Sequence, residues 1–170
     1  MLRKPFDYLK MLRTLSNFKV DFIVIGGICG VLHGSSLGTV DVDIVPSRKT
    51  ENMERLEAAL TELNAYYREH PPGKIRPNAE RINTSGHHLL MTDAGALDVL
   101  GTVTQGRGYD ELIAETVEVQ LEDALNIAIL TLPMLVLLKQ ETNRVKDRLA
   151  LPFLRQLLVK ELLPKDETVT

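Results

Sequence analysis

Two aspartates separated by one valine, Asp41-Val42-Asp43, are the residues of this sequence best placed to do chemistry. In an extended strand, residues two apart project from the same face, so the two carboxylates would stand side by side. Adjacent carboxylates repel, and without a cation one of them takes up a proton. Mg²⁺ removes the conflict, because it accepts one or two carboxylates together with waters and phosphate oxygens. Asp98, inside the apolar run ALDVL, is a candidate third carboxylate, since a charge there has no packing reason. Three such groups on neighbouring strands would make a two-metal site able to activate a nucleophile and neutralise a polyphosphate. The ordinary alternative is that Asp41 and Asp43 line the solvated face of an edge strand. Upstream, Gly26-Gly27 separates a strand from a helix, where backbone N–H groups and the positive helix end can hold an anion. Glycine is also the usual residue for a positive φ, so the pair alone says little.

Those residues need elements to position them. VDFIVI, Val20 to Ile25, is rich in β-branched residues and stops at the glycine pair, as a buried strand does. A short helix is expected over Ile28 to His33, closed by Gly34. The next strand, TVDVDIV from Thr39 to Val45, alternates Val40, Val42 and Ile44 with Thr39, Asp41 and Asp43, giving one apolar and one carboxylate face. Pro46 should stop it. Thr50 to Leu63 carries Met53, Leu56, Leu60 and Leu63 at helical spacing, with Thr50 or Ser47 as the N-cap. His70 to Asn83 has no period and reads as a long loop. His87 to Thr92 and Ala96 to Leu100 form a hairpin turning at Asp93-Ala94-Gly95. Tyr109 to Ala114 makes a helical turn, Thr116 to Gln120 and Ala124 to Leu130 two strands, and Leu132 to Glu141 and Val145 to Leu163 two helices. Asn143 is available as a cap between these helices, and Pro152 should kink or split the last one. Met1 to Leu15 reads as an amphipathic helix. The sum is one α/β (α+β) domain over 1–170, with a core of about 16–130 and C-terminal helices over about 131–163.

Composition narrows the class. The 170 residues are 44% hydrophobic and 25% charged, which excludes collagen-like and wholly disordered chains. The net charge of -3 argues against coating nucleic acid by bulk charge. One cysteine, Cys29, gives no intrachain disulfide, and no apolar run reaches the ~20 residues that span a bilayer. A cytoplasmic protein without a membrane anchor is the expectation. His33, His70, His87 and His88 match no zinc spacing, and His33 reads as a capping or packing residue.

The run VDFIVIGGICGVLHGSSLGTVDVDIVP resembles the first motif of the nucleotidyltransferase superfamily with the DNA polymerase β-like fold, in its minimal form and close to the branch containing AbiEii-type toxins and MNT-like proteins. LDVLG resembles that family's strand with the third carboxylate, and LPMLVLLKQETNRVKDRLALPFL its C-terminal segment, so the likeness spans roughly Ser16 to Leu158. The resemblance implies a mixed β-sheet with flanking helices and a C-terminal helical segment. It implies that Gly26 and Gly27 contact the triphosphate of an NTP. Asp41, Asp43 and Asp98 would bind Mg²⁺ or Mn²⁺, with Asp98 also the base on an incoming hydroxyl. Lys139 would meet a phosphate or the nucleotide, and Asp147, with Arg144 and Lys146 beside it, would orient that site. On residue physics alone, Lys139 and Asp147 read as charges complementing helix dipoles.

Many relatives carry an arginine shortly before the D-x-D, and Ser35-Ser36-Leu37-Gly38 supplies none. An arginine for the triphosphate would come from Arg48, Arg76 or Arg144. Two basic sets, Arg68, Lys74, Arg76 and Arg81, and Lys146, Arg148, Arg155 and Lys160, would guide an RNA or nucleotide phosphate if they shared the rim of Asp41. The expected function is ATP-type nucleotide binding and Mg²⁺-dependent transfer of NMP from an NTP to a hydroxyl of tRNA or another RNA, a protein or a small molecule. A toxin with an antitoxin partner is the biological variant. The alternative is an inactive module that keeps the fold and binds nucleotide or protein.

Overall fold

The computed structural model describes residues 5–72 and 75–163. Among these, seven strands form one mixed sheet in the order β3-β4-β5-β2-β1-β7-β6. The chain enters through α1 (Tyr8–Asn17), capped by the Asp7 carboxylate accepting from the Lys10 N–H, and runs into β1 (Phe22–Ile25). Then follow α2 (Gly26–Leu32), β2 (Asp41–Pro46), α3 (Thr50–Glu62) and the two-residue β3 (Tyr66–Tyr67). After α4 (Ala79–Ile82) come the hairpin strands β4 (His87–Thr92) and β5 (Gly95–Leu100), then α5 (Tyr109–Leu112). The antiparallel β6 (Thr116–Leu121) and β7 (Leu125–Leu130) lead into α6 (Leu132–Thr142) and α7 (Val145–Leu162).

The sheet order decides what the Asp41-Asp43 strand is. β2 pairs antiparallel with β1 and parallel with β5, so it lies inside the sheet, and the edge-strand reading is overturned. β1 is buried along its whole length between β2 and the parallel β7. Its start is two residues later than Val20, because the backbone N–H and C=O of Asp21 are taken by the side chain of Asn52, at 2.7 and 2.9 Å. The same Asn52 amide donates to Ser47 O, which ties the entry of β1 to the exit of β2. Apolar cores of Ile23, Val24, Val42 and Ile44 are fully buried, with α1 packing on α3 and α2 packing on α6. At Gly30, α7 lies against α2, and a Cβ there would make ordinary contact with Leu154 at 3.5 Å.

Several local expectations are corrected. Val40 is not in the apolar face but precedes the strand, 79% exposed. Pro46 ends β2 as its last paired residue, opposite Phe22, since the pairing there needs no proline N–H. Helix α3 begins after Lys49 with no side-chain cap, and Thr50 is its first residue rather than its N-cap. The stretch 70–83 is not all loop: Asn78 caps α4, accepting from the Arg81 N–H. Pro152 does not split α7, which continues to Leu162. Lys74 and the tail after Leu163 lie outside the described residues, as do the first residues of the expected N-terminal helix. No described helix is long and apolar enough to cross a membrane.

Candidate active site

Strand register brings the three aspartates together. In the parallel β2–β5 pair, Asp43 stands opposite Asp98, while Asp41 stands opposite Ala96. One carboxylate oxygen from each of Asp41, Asp43 and Asp98 lies within 4.8 Å of the others. Burial pushes the Asp43 carboxyl up to about 7, and the neighbouring charges of Asp41 and Asp98 push the same way. Asp98 is also raised by burial, opposed by the Arg68 guanidinium. On the Asp43 side this negative charge is opposed by the charges of Lys146 and Lys139, yet the carboxyl stays raised, and hard oxygen donors in such a set suit Mg²⁺ or Mn²⁺.

The glycine pair has a packing reason that fits this arrangement. Gly26 has a φ of +67°, and a Cβ there would lie 2.2 Å from Asp43 Oδ2. A Cβ on Gly27 would lie 2.7 Å from Thr39 Oγ1. That hydroxyl donates to Asp41 Oδ1 at 2.9 Å, so the first glycine leaves room for one aspartate and the second for the residue that orients the other. Thr39 precedes β2 and was not singled out in the sequence, although the two-residue alternation put it on the side of Asp41 and Asp43.

Helix α6 and the start of α7 supply the cationic side. Asp147 is fully buried and is hydrogen-bonded by Lys139 Nζ at 3.2 Å, Thr142 Oγ1 at 2.7 Å and Arg144 Nε at 2.9 Å. Burial alone would raise its carboxyl, but the Arg144 and Thr142 hydrogen bonds and the Lys139 charge hold it down to about 2. It also caps α7 by accepting from the Arg144 backbone N–H. Lys139 and Arg144 are thereby fixed in direction. The Lys146 charge acts on both Asp43 and Asp98.

All nine residues singled out in the sequence, Gly26, Gly27, Asp41, Asp43, Asp98, Lys139, Arg144, Lys146 and Asp147, line one cavity of about 730 Å³. That volume is within the range of small-molecule and cofactor sites. Its remaining wall is partly apolar, with Ile25, Leu89, Leu100, Val103, Leu135 and Leu138. A separate cleft of about 510 Å³ at the far end of β2 is lined by Arg48, Lys49, Asn83 and Tyr109 and contains none of the three aspartates.

Of the arginines considered for a phosphate, Arg144 lines the site. Arg48 does not: it lies in the separate cleft and donates to Asn83 at 3.3 Å. Arg76 is turned to the Ala65 carbonyl. The basic residues do not gather as a set around the cavity: Arg68 and Lys146 line it, while Arg76, Arg81, Arg148, Arg155 and Lys160 do not. Arg68 was missed as a partner of the triad. Its Nη1 lies 2.5 Å from Asp98 Oδ1 and its Nη2 3.3 Å from Oδ2. Nothing in the sequence signals a pair across 30 positions from a strand as short as β3. His87 lines the cavity, His88 is held between Tyr67 and Thr84, and His33 is the C-cap residue of α2, with its ring Nε2 2.7 Å from Leu130 O.

Two solved structures share this architecture across nearly their full length. One, from Thermotoga maritima and provisionally named a nucleotidyltransferase, is 19% identical, with a TM-score of 0.54 over 90% of this chain and 91% of its own. The other is the lincosamide antibiotic adenylyltransferase LnuA with lincomycin bound, 15% identical, with a TM-score of 0.60 over 90% of this chain and 99% of its own. The chain has the nucleotidyltransferase fold. At these identities the likeness is one of fold. No family model and no curated protein matches the sequence.

Proposed function

We propose that the whole chain acts as one nucleotidyltransferase domain, moving the NMP of an NTP onto an acceptor hydroxyl with release of pyrophosphate. The observation that carries this reading is the triad of carboxylates in a cavity that Lys139, Arg144 and Lys146 also line, on a nucleotidyltransferase fold. Asp41, Asp43 and Asp98 would hold Mg²⁺ or Mn²⁺. Held there, a divalent ion would supply charge neutralisation for the triphosphate and activation of the acceptor hydroxyl.

The residues of the chain account for the rest. Gly26 and Gly27 leave the room that Asp43 and Thr39 occupy, and the side-chain-free backbone of this turn would meet the triphosphate. Lys139 and Arg144, directed by Asp147, and the nearby Lys146 offset the charge of the leaving pyrophosphate. The acceptor oxygen forms a bond to the α-phosphorus, the bond from that phosphorus to the β-bridging oxygen breaks, and the hydroxyl proton goes to the Asp98 carboxylate. Most of the acceleration comes from positioning and preorganised charge.

LnuA acts on a lincosamide antibiotic, and the apolar wall of Val103, Leu135 and Leu138 would likewise suit a small acceptor with an apolar body. Transfer of label from α-³²P NTPs into extract separated into RNA, protein and small molecules tests both the reaction and the acceptor class. Label confined to the small-molecule fraction supports this acceptor, and label in RNA or protein replaces it. The toxin of a toxin–antitoxin pair, acting in the cytoplasm and restrained by its antitoxin, is the biological reading of the same chemistry. Growth arrest on expression, relieved by Asp41→Asn/Asp43→Asn, supports it, and harmless expression counts against it.

A further inference from the structure

Arg68 follows the edge strand β3 and reaches across β4 to a carboxylate on β5. Its backbone N–H donates to Leu89 O at 3.1 Å, which continues the β3–β4 pairing by one residue. Its guanidinium then takes both oxygens of Asp98 in a two-pronged pair, with a weaker contact from Nη1 to Leu90 O at 3.4 Å. The side chains are 28% and 10% exposed, so water screens this pair little. Asp98 is therefore claimed twice, by an arginine and by the carboxylate set that would hold a divalent cation.

Both claims cannot be met at full strength. A carboxylate has lone pairs for two partners, but a guanidinium and a divalent cation on the same group repel each other at short range. Arg68 also lines the same cavity as Lys139 and Arg144, where a polyphosphate would supply an alternative anion. Proton transfer to Asp98 has the same requirement, since an oxygen held by Nη1 is a weaker base.

We propose that Arg68 serves as the built-in counter-cation of Asp98 when the site holds no metal, and passes from that carboxylate to the anionic substrate when a divalent cation takes the triad. The inference rests on the nucleotidyltransferase reading and assigns it a competition between protein cation and metal. Removing the guanidinium must then have opposite effects on two ligands. Metal binding tightens because a competitor is gone, while nucleotide binding weakens because a phosphate partner is gone. An arginine that only braced the sheet would not produce opposite signs.

The test uses the full chain without nucleotide, following free Mn²⁺ by electron paramagnetic resonance. Arg68→Gln is expected to bind Mn²⁺ about tenfold tighter than the wild type, and a non-hydrolysable ATP analogue at saturating Mg²⁺ several-fold more weakly. Unchanged or weaker Mn²⁺ binding by folded Arg68→Gln overturns the proposal. If wild-type binding is nonetheless lost in Asp41→Asn/Asp43→Asn, the metal site stands and only the role of Arg68 falls. Absence of Mn²⁺ binding in both wild type and Arg68→Gln overturns the metal site together with the proposal. Should Arg68→Gln fail to fold, Arg68→Lys keeps the charge without the fork, and the expected gain is about threefold, with no gain contradicting the proposal.

Discussion

Asp43 is the residue whose environment is least comfortable in the chain by itself. Its carboxyl is raised from 3.8 to about 7, so the folded state binds its proton across a range where the unfolded state has lost it. Between about pH 4 and 7 the unfolded chain thus carries fewer protons at this site, and the stability contribution of Asp43 falls as pH rises. At pH 8 without divalent ions, Asp43→Asn should raise the melting temperature by several degrees, a gain on the order of a few kcal/mol. Thermal melts in chelator check this, and an unchanged or lower melting temperature contradicts it. Added Mg²⁺ should stabilise the wild type at pH 8 far more than this variant, and the difference should shrink below pH 6. Gly26→Ala works in the other direction. The strained φ and a Cβ 2.2 Å from Asp43 Oδ2 should cost at least about 2 kcal/mol in denaturant titration. Asp41, Asp43 and Asp98 were legible because charges in apolar strands need a reason. Arg68 was not, since its partner depends on which strands become neighbours.

At the scale of elements, the site depends on two junctions. The first is the β1–α2 turn, where the glycine pair lets the chain turn from strand to helix against β2. The second is the α6–α7 corner, closed by Asn143 in the left-handed region at φ 49° and by Asp147 beneath it. Asp147→Ala removes the buried partner of Lys139 and the cap of α7, and should lower stability by about 3 kcal/mol, measured by urea unfolding. Because the Asp147 carboxyl is depressed to about 2, its contribution is present above about pH 4 and is lost as pH falls through 2, a window separate from that of Asp43. The loop holding Thr104 is tied to α6 by Glu141, which accepts from Arg107 at 2.7 Å and from the Thr104 hydroxyl. Glu141→Gln should speed hydrogen exchange in 101–108 while leaving the triad in place. The β4–β5 hairpin, bounded by the turn at Asp93-Ala94-Gly95, was readable from sequence to within a residue. The starts of β1 and α3 were not, because Asn52 and the bare Lys49 end settle them through contacts that no local pattern encodes.

For the whole molecule, the decisive fact is that β2 is interior and β5 its parallel neighbour, since only that order places Asp98 beside Asp43. Sequence spacing leaves strand order open; the family resemblance named Asp98 as the third carboxylate but not the order of the strands. The architecture then gathers residues from position 25 to position 147 around one cavity of about 730 Å³. The central claim is that this cavity transfers a nucleotide by means of its carboxylates. The most direct measurement is transfer of α-³²P label from each NTP with Mg²⁺, comparing the wild type with Asp41→Asn/Asp43→Asn. The account expects label in one acceptor fraction and a fall of at least about 10³-fold in the variant. Equal labelling by the two proteins, or no labelling by a folded wild type with Mg²⁺ and any NTP, would contradict it.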